Sequence, residues 1–181
     1  MRFQAREMQK TIIKQRRWPT GNGSAAGDGE NMYREPVQVL VYCYRLIEGA
    51  PRWLLLKRVP ERGGFWQGIT GAIEPGEPLK DAALRELREE TGLSPLTIRQ
   101  SPIQYSITVR PEWAYRYNYD PAVQQLTEYV FVGQLAADAM PVLSDEHSDF
   151  CWKSTEDALP MFKWPKNAEA LELIAAELAQ D

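Results

Sequence analysis

Apolar, β-branched and aromatic residues dominate two early runs, Val37 to Leu46 and Trp53 to Val59, and the turn-prone Glu48-Gly49-Ala50-Pro51 separates them. Runs of this kind broken by turn chemistry predict a pair of strands. A third strand is expected from Trp66 to Ile73, and others from Leu96 to Val109 and Gln125 to Leu135. Two stretches carry helical spacing instead. Pro165 to Ala179 places Ala168, Leu171, Ala175 and Leu178 on one side. From about Pro78 to Thr91, the residues Ala83, Leu84, Leu87 and Thr91 fall together at roughly 100° per residue. Pro78 suits a first-turn position because its φ is preset and it lacks an N–H, and Gly92 can take the left-handed conformation that closes a helix. Strands and helices mixed in this way predict an α/β fold, and no internal repeat divides it.

The polar side of the first helix adds chemistry to this picture. Glu86, Glu89 and Glu90 form a stripe through i,i+3 and i,i+4 neighbours. Converging carboxylates repel, which raises their pKa values and destabilises a helix unless cations neutralise them, and hard ions such as Mg²⁺ prefer oxygen ligands. Two readings fit such a stripe: an ordinary solvated helix face or a cation site. Arg85, four residues before Glu89, can orient that carboxylate, and Arg88 lies farther round toward solvent. The flanks favour the cation site. Gly71, five residues, Glu77, seven residues, Arg85-Glu86-Leu87, one residue, Glu89-Glu90, one residue and Gly92-Leu93 reproduce the Nudix box without a departure, and on this segment the chain resembles the Nudix hydrolase family.

The resemblance extends over roughly Arg34 to the C-terminus and implies a Nudix α/β/α sandwich with a mixed, partly curved β-sheet. It implies metal-dependent hydrolysis of a phosphoanhydride in a small molecule, with Glu86, Glu89 and Glu90, helped by the Gly71 carbonyl, binding Mg²⁺ or Mn²⁺ as a substitute. Arg85 would steady Glu89, and Glu77 would support the loop and the helix start. Outside the box, Lys57-Arg58, Phe65-Trp66-Gln67, Thr70-Gly71, Thr127-Glu128 and Glu146-His147 followed by Trp152 look like the pattern of bacterial dihydroneopterin triphosphate diphosphatases. Those Nudix enzymes release pyrophosphate from a pterin triphosphate in folate synthesis. By this likeness Glu128 would ligate a metal or activate water, unless it is only an exposed strand residue, and Glu146 is the rival base, unless its loop with Asp145 and His147 is merely solvated. Arg58 is expected to neutralise a phosphate oxygen, with Lys57 as a point-charge contact or a solvent-facing residue. Trp66 and Gln67 would line the pocket, with Trp66 also suited to the core. Trp113, Tyr115, Tyr117 and Tyr119 form an aromatic segment between strands that is suited to a substrate lid, although a packed loop is favoured over a specific ring clamp. His147, the sole histidine, is expected to be a surface or core-supporting imidazole and not a catalytic one. The rivals in substrate are general nucleoside triphosphate pyrophosphohydrolysis, dATP included, and cleavage of dinucleoside polyphosphates; the non-enzymatic rival is a nucleotide-sensing module.

Composition narrows the surroundings. The 181 residues suit one domain, residues 34–181, behind a flexible extension, residues 1–33, whose stretch from Pro19 to Glu30 is rich in Gly, Ser, Asn and Ala. Translation from Met32 is an alternative expectation for that end. A net charge of −4 argues against a stable nucleic-acid complex. Cys43 and Cys151 are too few for a disulfide framework, and no apolar run approaches the ~20 residues of a membrane helix, so a cytoplasmic location is expected. The oligomeric state is left open.

Overall fold

The computed structural model describes residues 33–112 and 116–180. The expected extension through residue 32, with the alternative start Met32, and the lid residues Trp113 and Tyr115 lie outside the described residues.

β1 (Val37–Ile47) and β2 (Ala50–Arg58) form the expected strand pair. The loop is only Glu48 and Gly49, at φ 52° and 77°, the mirror-image turn geometry whose twist suits an antiparallel pair. The single strand expected from Trp66 to Ile73 is instead two: β3 (Trp66–Gln67) pairs with β2, and β4 (Ile69–Ala72) pairs with β1. The break falls at Gly68, where a Cβ would stand 3.0 Å from the Val41 carbonyl oxygen. A side chain here would crowd β1, which would have to give by a few tenths of an ångström.

β5 (Thr97–Thr108) runs antiparallel to β6 (Gln125–Gln134), and β6 runs parallel to β1, which makes the sheet mixed. β7 (His147–Lys153) pairs antiparallel with β2. The spatial order is β3-β2-β1-β6-β5, with β4 attached to β1 and β7 to β2. β7 is absent from the sequence reading because His147-Ser148-Asp149 interrupts any apolar run. Pairing with the buried β2 overrides its weak local preference.

Helix α1 (Leu79–Thr91) starts one residue later than expected. Pro78 has ψ 141° and precedes the helix in an extended conformation. Gly92, at φ 68°, closes it, and its N–H donates to the Arg88 carbonyl at 2.8 Å. Ala82, Ala83 and Leu87 bury against Val39, Val41, Leu54, Leu56, Ile69 and Phe131 on one face of the sheet. Leu84 is only half-buried, with Ala82 turned inward instead. The other face carries α2 (Thr155–Ala158) and α3 (Pro165–Leu178), whose Ala170, Leu171 and Ile174 pack on Leu40, Tyr42, Trp53, Leu55, Val130 and Val132. The stripe on α3 is thus centred slightly away from the expected Ala168–Leu178 line, although Leu171, Ala175 and Leu178 all join the cluster.

The architecture is an α/β/α sandwich around a mixed sheet. Strand alternation assigns the faces: on β1 and β6 the odd positions Val39, Val41 and Phe131 meet α1, while the even positions Leu40, Tyr42, Val130 and Val132 meet α3. No helix among the described residues is long and apolar enough to cross a membrane.

Candidate active site

Arg85 is the hub that joins α1 to the loop before it. Its Nε and Nη2 each donate to Glu77 at 2.8 Å, a bidentate fork, and Nη2 also donates to the Ala72 carbonyl at 2.9 Å. Glu77 in turn accepts from the Glu74 N–H at 2.9 Å. The Arg85 hydrogen bond is the main cause that holds the Glu77 carboxyl below its ordinary range. Nη1 of Arg85 reaches Glu86 at 2.6 Å and Glu89 only at 3.5 Å. The expected alignment of Glu89 by Arg85 is therefore the weakest of its contacts. Arg85 secures the loop through Glu77 and fixes Glu86.

Glu86 stands against Gly71. A Cβ on Gly71 would lie 1.8 Å from the Glu86 Cδ, so only glycine lets this carboxylate sit on the strand. Burial pushes the Glu86 carboxyl up to about 7, against the opposing pull of Arg85. One turn on, Glu90 is 5% exposed. Burial raises its pKa well above the ordinary value, and the charges of Glu86 and Glu146 add to the rise. The Oε2 atom of Glu90 has no hydrogen-bond partner, an expensive condition for a buried carboxylate. Glu89 points outward, its side chain 49% exposed against 13% for Glu86.

Glu146 reaches this cluster from a loop that rides on the end of α1. The Val142 and Ser144 N–H groups donate to the Thr91 and Glu90 carbonyls at 2.8 and 3.1 Å, satisfying acceptors that a helix end leaves open. The Val59 N–H then donates to the Glu146 carbonyl at 3.0 Å and ties the loop to the end of β2. The Glu146 carboxylate is held by Arg62 at 2.6 Å and Arg58 at 3.3 Å. Arg62 has less positional support in the sequence than Arg58, and a surface salt bridge is the expectation for it there. The signal was the double glycine after it: Gly63 and Gly64, at φ 102° and 64°, turn the chain tightly beside the arginine.

His147 approaches Glu90 at 3.8 Å, but this is no ion pair. Burial pushes the imidazole down to about 4, with Arg58 and Arg62 adding to the effect, so it is neutral near pH 7. Neither of its ring nitrogens has a hydrogen-bond partner.

Glu128 is not brought to this cluster. It occupies an even position of β6, so its side chain lies on the α3 face, where Gln38 Nε2 donates to it at 2.6 Å. The placement that would make it a metal ligand or base beside α1 is therefore not found, and strand alternation is the reason. Lys57 and Arg58 separate in the same way. Arg58 turns to Glu146, whereas the Lys57 Nζ sits 5.8 Å from the centre of the Trp66 ring, in the cluster beneath α3. Gln67 is buried and donates to the Thr70 hydroxyl at 3.3 Å.

Among the described residues, no three acidic, histidine or cysteine side chains already stand as a metal-holding group. The ion pairs explain this: Arg85 draws on Glu86, and Arg58 and Arg62 draw on Glu146. The chemistry nonetheless fits a hard divalent cation. The donors are carboxylate oxygens, Glu90 keeps a buried unpartnered one, and the missing side chain at Gly71 lets the Glu86 carboxylate lie against β4. A cation there would relieve the mutual repulsion that burial magnifies.

The Nudix domain family matches residues 36–174. The chain belongs to the Nudix family. Dihydroneopterin triphosphate diphosphatase of Haemophilus influenzae is 36% identical over 146 residues, covering 77% of this chain and 87% of that protein. The Escherichia coli K12 enzyme of the same name is 31% identical over 145 residues, covering 79% and 94%. Among solved structures, the E. coli dihydroneopterin triphosphate pyrophosphohydrolase superposes with a TM-score of 0.66 at 28% identity, covering 80% of this chain and 98% of that one. This Nudix protein is thus a hydrolase with pyrophosphohydrolase activity on small phosphoanhydrides, and Nudix hydrolases work with divalent cations.

Proposed function

We propose that this Nudix hydrolase cleaves dihydroneopterin triphosphate with water, yielding the pterin monophosphate and pyrophosphate, and that Mg²⁺ is its cation, with Mn²⁺ able to replace it. The observation that carries the substrate is the 36% identity to the H. influenzae enzyme along most of both chains. The acid cluster supports the chemistry. Glu86 and Glu90, with the Gly71 carbonyl, are the residues to hold the cation, and Glu146 joins them as a third carboxylate. A bound divalent cation supplies charge neutralisation to phosphoryl oxygens and lowers the pKa of water.

The protein's own groups supply the rest. Arg58 and Arg62, which hold Glu146, are placed to turn to the phosphates, where a guanidinium matches two oxygens at once. Of the two base candidates, Glu146 faces the cluster and is the one to receive the proton from the attacking water. Arg85 keeps Glu86 in place without touching the substrate. Residues 34–181 form the catalytic unit in this reading, with residues 1–33 as an appendage.

The test is product analysis on a panel. Purified protein with Mg²⁺ would be given dihydroneopterin triphosphate, dATP, dGTP, a dinucleoside polyphosphate and a nucleotide sugar. The highest kcat/KM is expected on the pterin triphosphate, with pyrophosphate as the phosphorus product. A tenfold preference for any other member would reject the substrate assignment.

A further inference from the structure

A bulge in β7 turns one side chain toward the acids. Phe150 and Trp152 pack on the α1 face and Cys151 on the α3 face, so regular alternation would put His147 on the α3 face with Cys151. The pairing with β2 shifts instead: Lys57 stands opposite Asp149, but Arg58 stands opposite His147. Ser148 is the extra residue, and its hydroxyl donates to the Lys57 carbonyl at 3.4 Å. His147 thereby joins Arg58 on the side of Leu54, Leu56 and α1, the re-aiming that bulges accomplish beside active sites.

Backbone hydrogen bonds hold the imidazole there. The His147 N–H donates to the Ser144 carbonyl at 3.1 Å, closing the turn that carries Glu146, and the Ser144 N–H donates to the Glu90 carbonyl at 3.1 Å. The side chain is fully buried, yet neither Nδ1 nor Nε2 has a partner. A leucine or phenylalanine would fill this place without burying two bare nitrogens. Opposite Nε2, at 3.8 Å, stands Glu90 Oε2, which is buried and unpartnered as well. An approach of about 1 Å would join them in a hydrogen bond. The Glu90 carboxylate also accepts from the Thr70 N–H on β4, so a second donor would fix its plane.

We propose that His147 is a positioning residue for the cation site, its Nε2–H donating to Glu90 Oε2 when Glu90 takes up the metal. A carboxylate oxygen has two lone pairs, so one can accept the imidazole N–H while the other faces the cation. Because Glu146 precedes His147 in the turn, the same imidazole ties together two carboxylates that come from different elements. His147 itself touches neither cation nor substrate. The inference rests on the reading of Glu86 and Glu90 as the holders of the cation.

The experiment measures Mn²⁺ binding to the purified full chain by electron paramagnetic resonance, in wild type, His147→Gln and His147→Met. Glutamine and methionine have nearly the same length, and only glutamine carries a donor. The Mn²⁺ Kd is expected to rise about 10- to 100-fold in His147→Met and to stay within about threefold of wild type in His147→Gln. The pulsed spectrum of wild type is expected to lack the hyperfine coupling of a directly bound nitrogen, a measurement that needs no variant. An unchanged Kd in His147→Met, equal weakening in both variants, or a directly bound nitrogen in wild type would overturn the proposal. A wild type that binds no Mn²⁺ would instead reject the cation site of Glu86 and Glu90, and the role of His147 with it.

Discussion

Replacing Glu128 by glutamine should stabilise the protein at alkaline pH. The carboxyl has an ordinary value of 4.5 and is pushed up to about 7 in the fold, chiefly by burial. An acid with a raised folded pKa contributes stability fully below its unfolded value and loses it as pH rises through the folded one. Between pH 4.5 and 7 the unfolded chain therefore ionises first, and folding free energy declines. At ~1.4 kcal/mol per tenfold change in acidity, the ceiling on the loss is about 3 kcal/mol. Glutamine keeps the shape and still accepts from the Gln38 amide, but has no charge to bury. Urea unfolding of metal-free wild type and Glu128→Gln, followed from pH 4.5 to 8.5, should give near-coincident midpoints at the acid end and a variant more stable by about 1–3 kcal/mol at the alkaline end. Other buried acids titrate in both proteins, so the difference isolates this residue. A difference independent of pH, or a variant that grows less stable as pH rises, would refute the reasoning, because it would mean that the charge is compensated.

Gly71→Ala should fold, because the group it strikes is the end of a flexible side chain, the Glu86 carboxyl; thermal melting should move little while the Mn²⁺ concentration needed for half-maximal activity rises at least about tenfold. Arg85→Lys keeps the charge but loses the fork to Glu77, so urea denaturation should show a loss of about 1–3 kcal/mol, with retention of full stability speaking against a structural hub. Glu90→Gln should lower kcat at saturating Mg²⁺ on the order of 10³-fold, and Glu146→Gln about 10²-fold, in steady-state pyrophosphate release. Near-normal turnover in Glu90→Gln would remove it from the cation site.

Much of this site is visible in the sequence because the box concentrates it on one helix and one turn. Pro78, Gly92 and the spacing from Arg85 to Glu90 are local signals, and α1 follows them to within a residue. What spacing could not supply was direction. Helical geometry grouped Glu89 with Glu86 and Glu90, but the sheet packs against Ala82, Ala83 and Leu87, which turns Glu90 inward and Glu89 out to solvent. The direction of Glu128 was hidden for a similar reason: its face is fixed by the register of β6 against β1, a long-range pairing that no local pattern encodes. The neighbourhood of Glu146 depends on the loop that caps α1 and on Arg62 beside two left-handed glycines, so it also emerges only from tertiary structure.

The most direct test is a crystal structure of the protein grown with Mn²⁺ and pyrophosphate, read from the anomalous difference map. The mechanism predicts a Mn²⁺ peak bonded by Glu86 and Glu90, with Glu146 facing it and Arg58 or Arg62 turned to the pyrophosphate. A peak bonded by Glu128, or a map with pyrophosphate bound and no Mn²⁺ between Glu86 and Glu90, would contradict it.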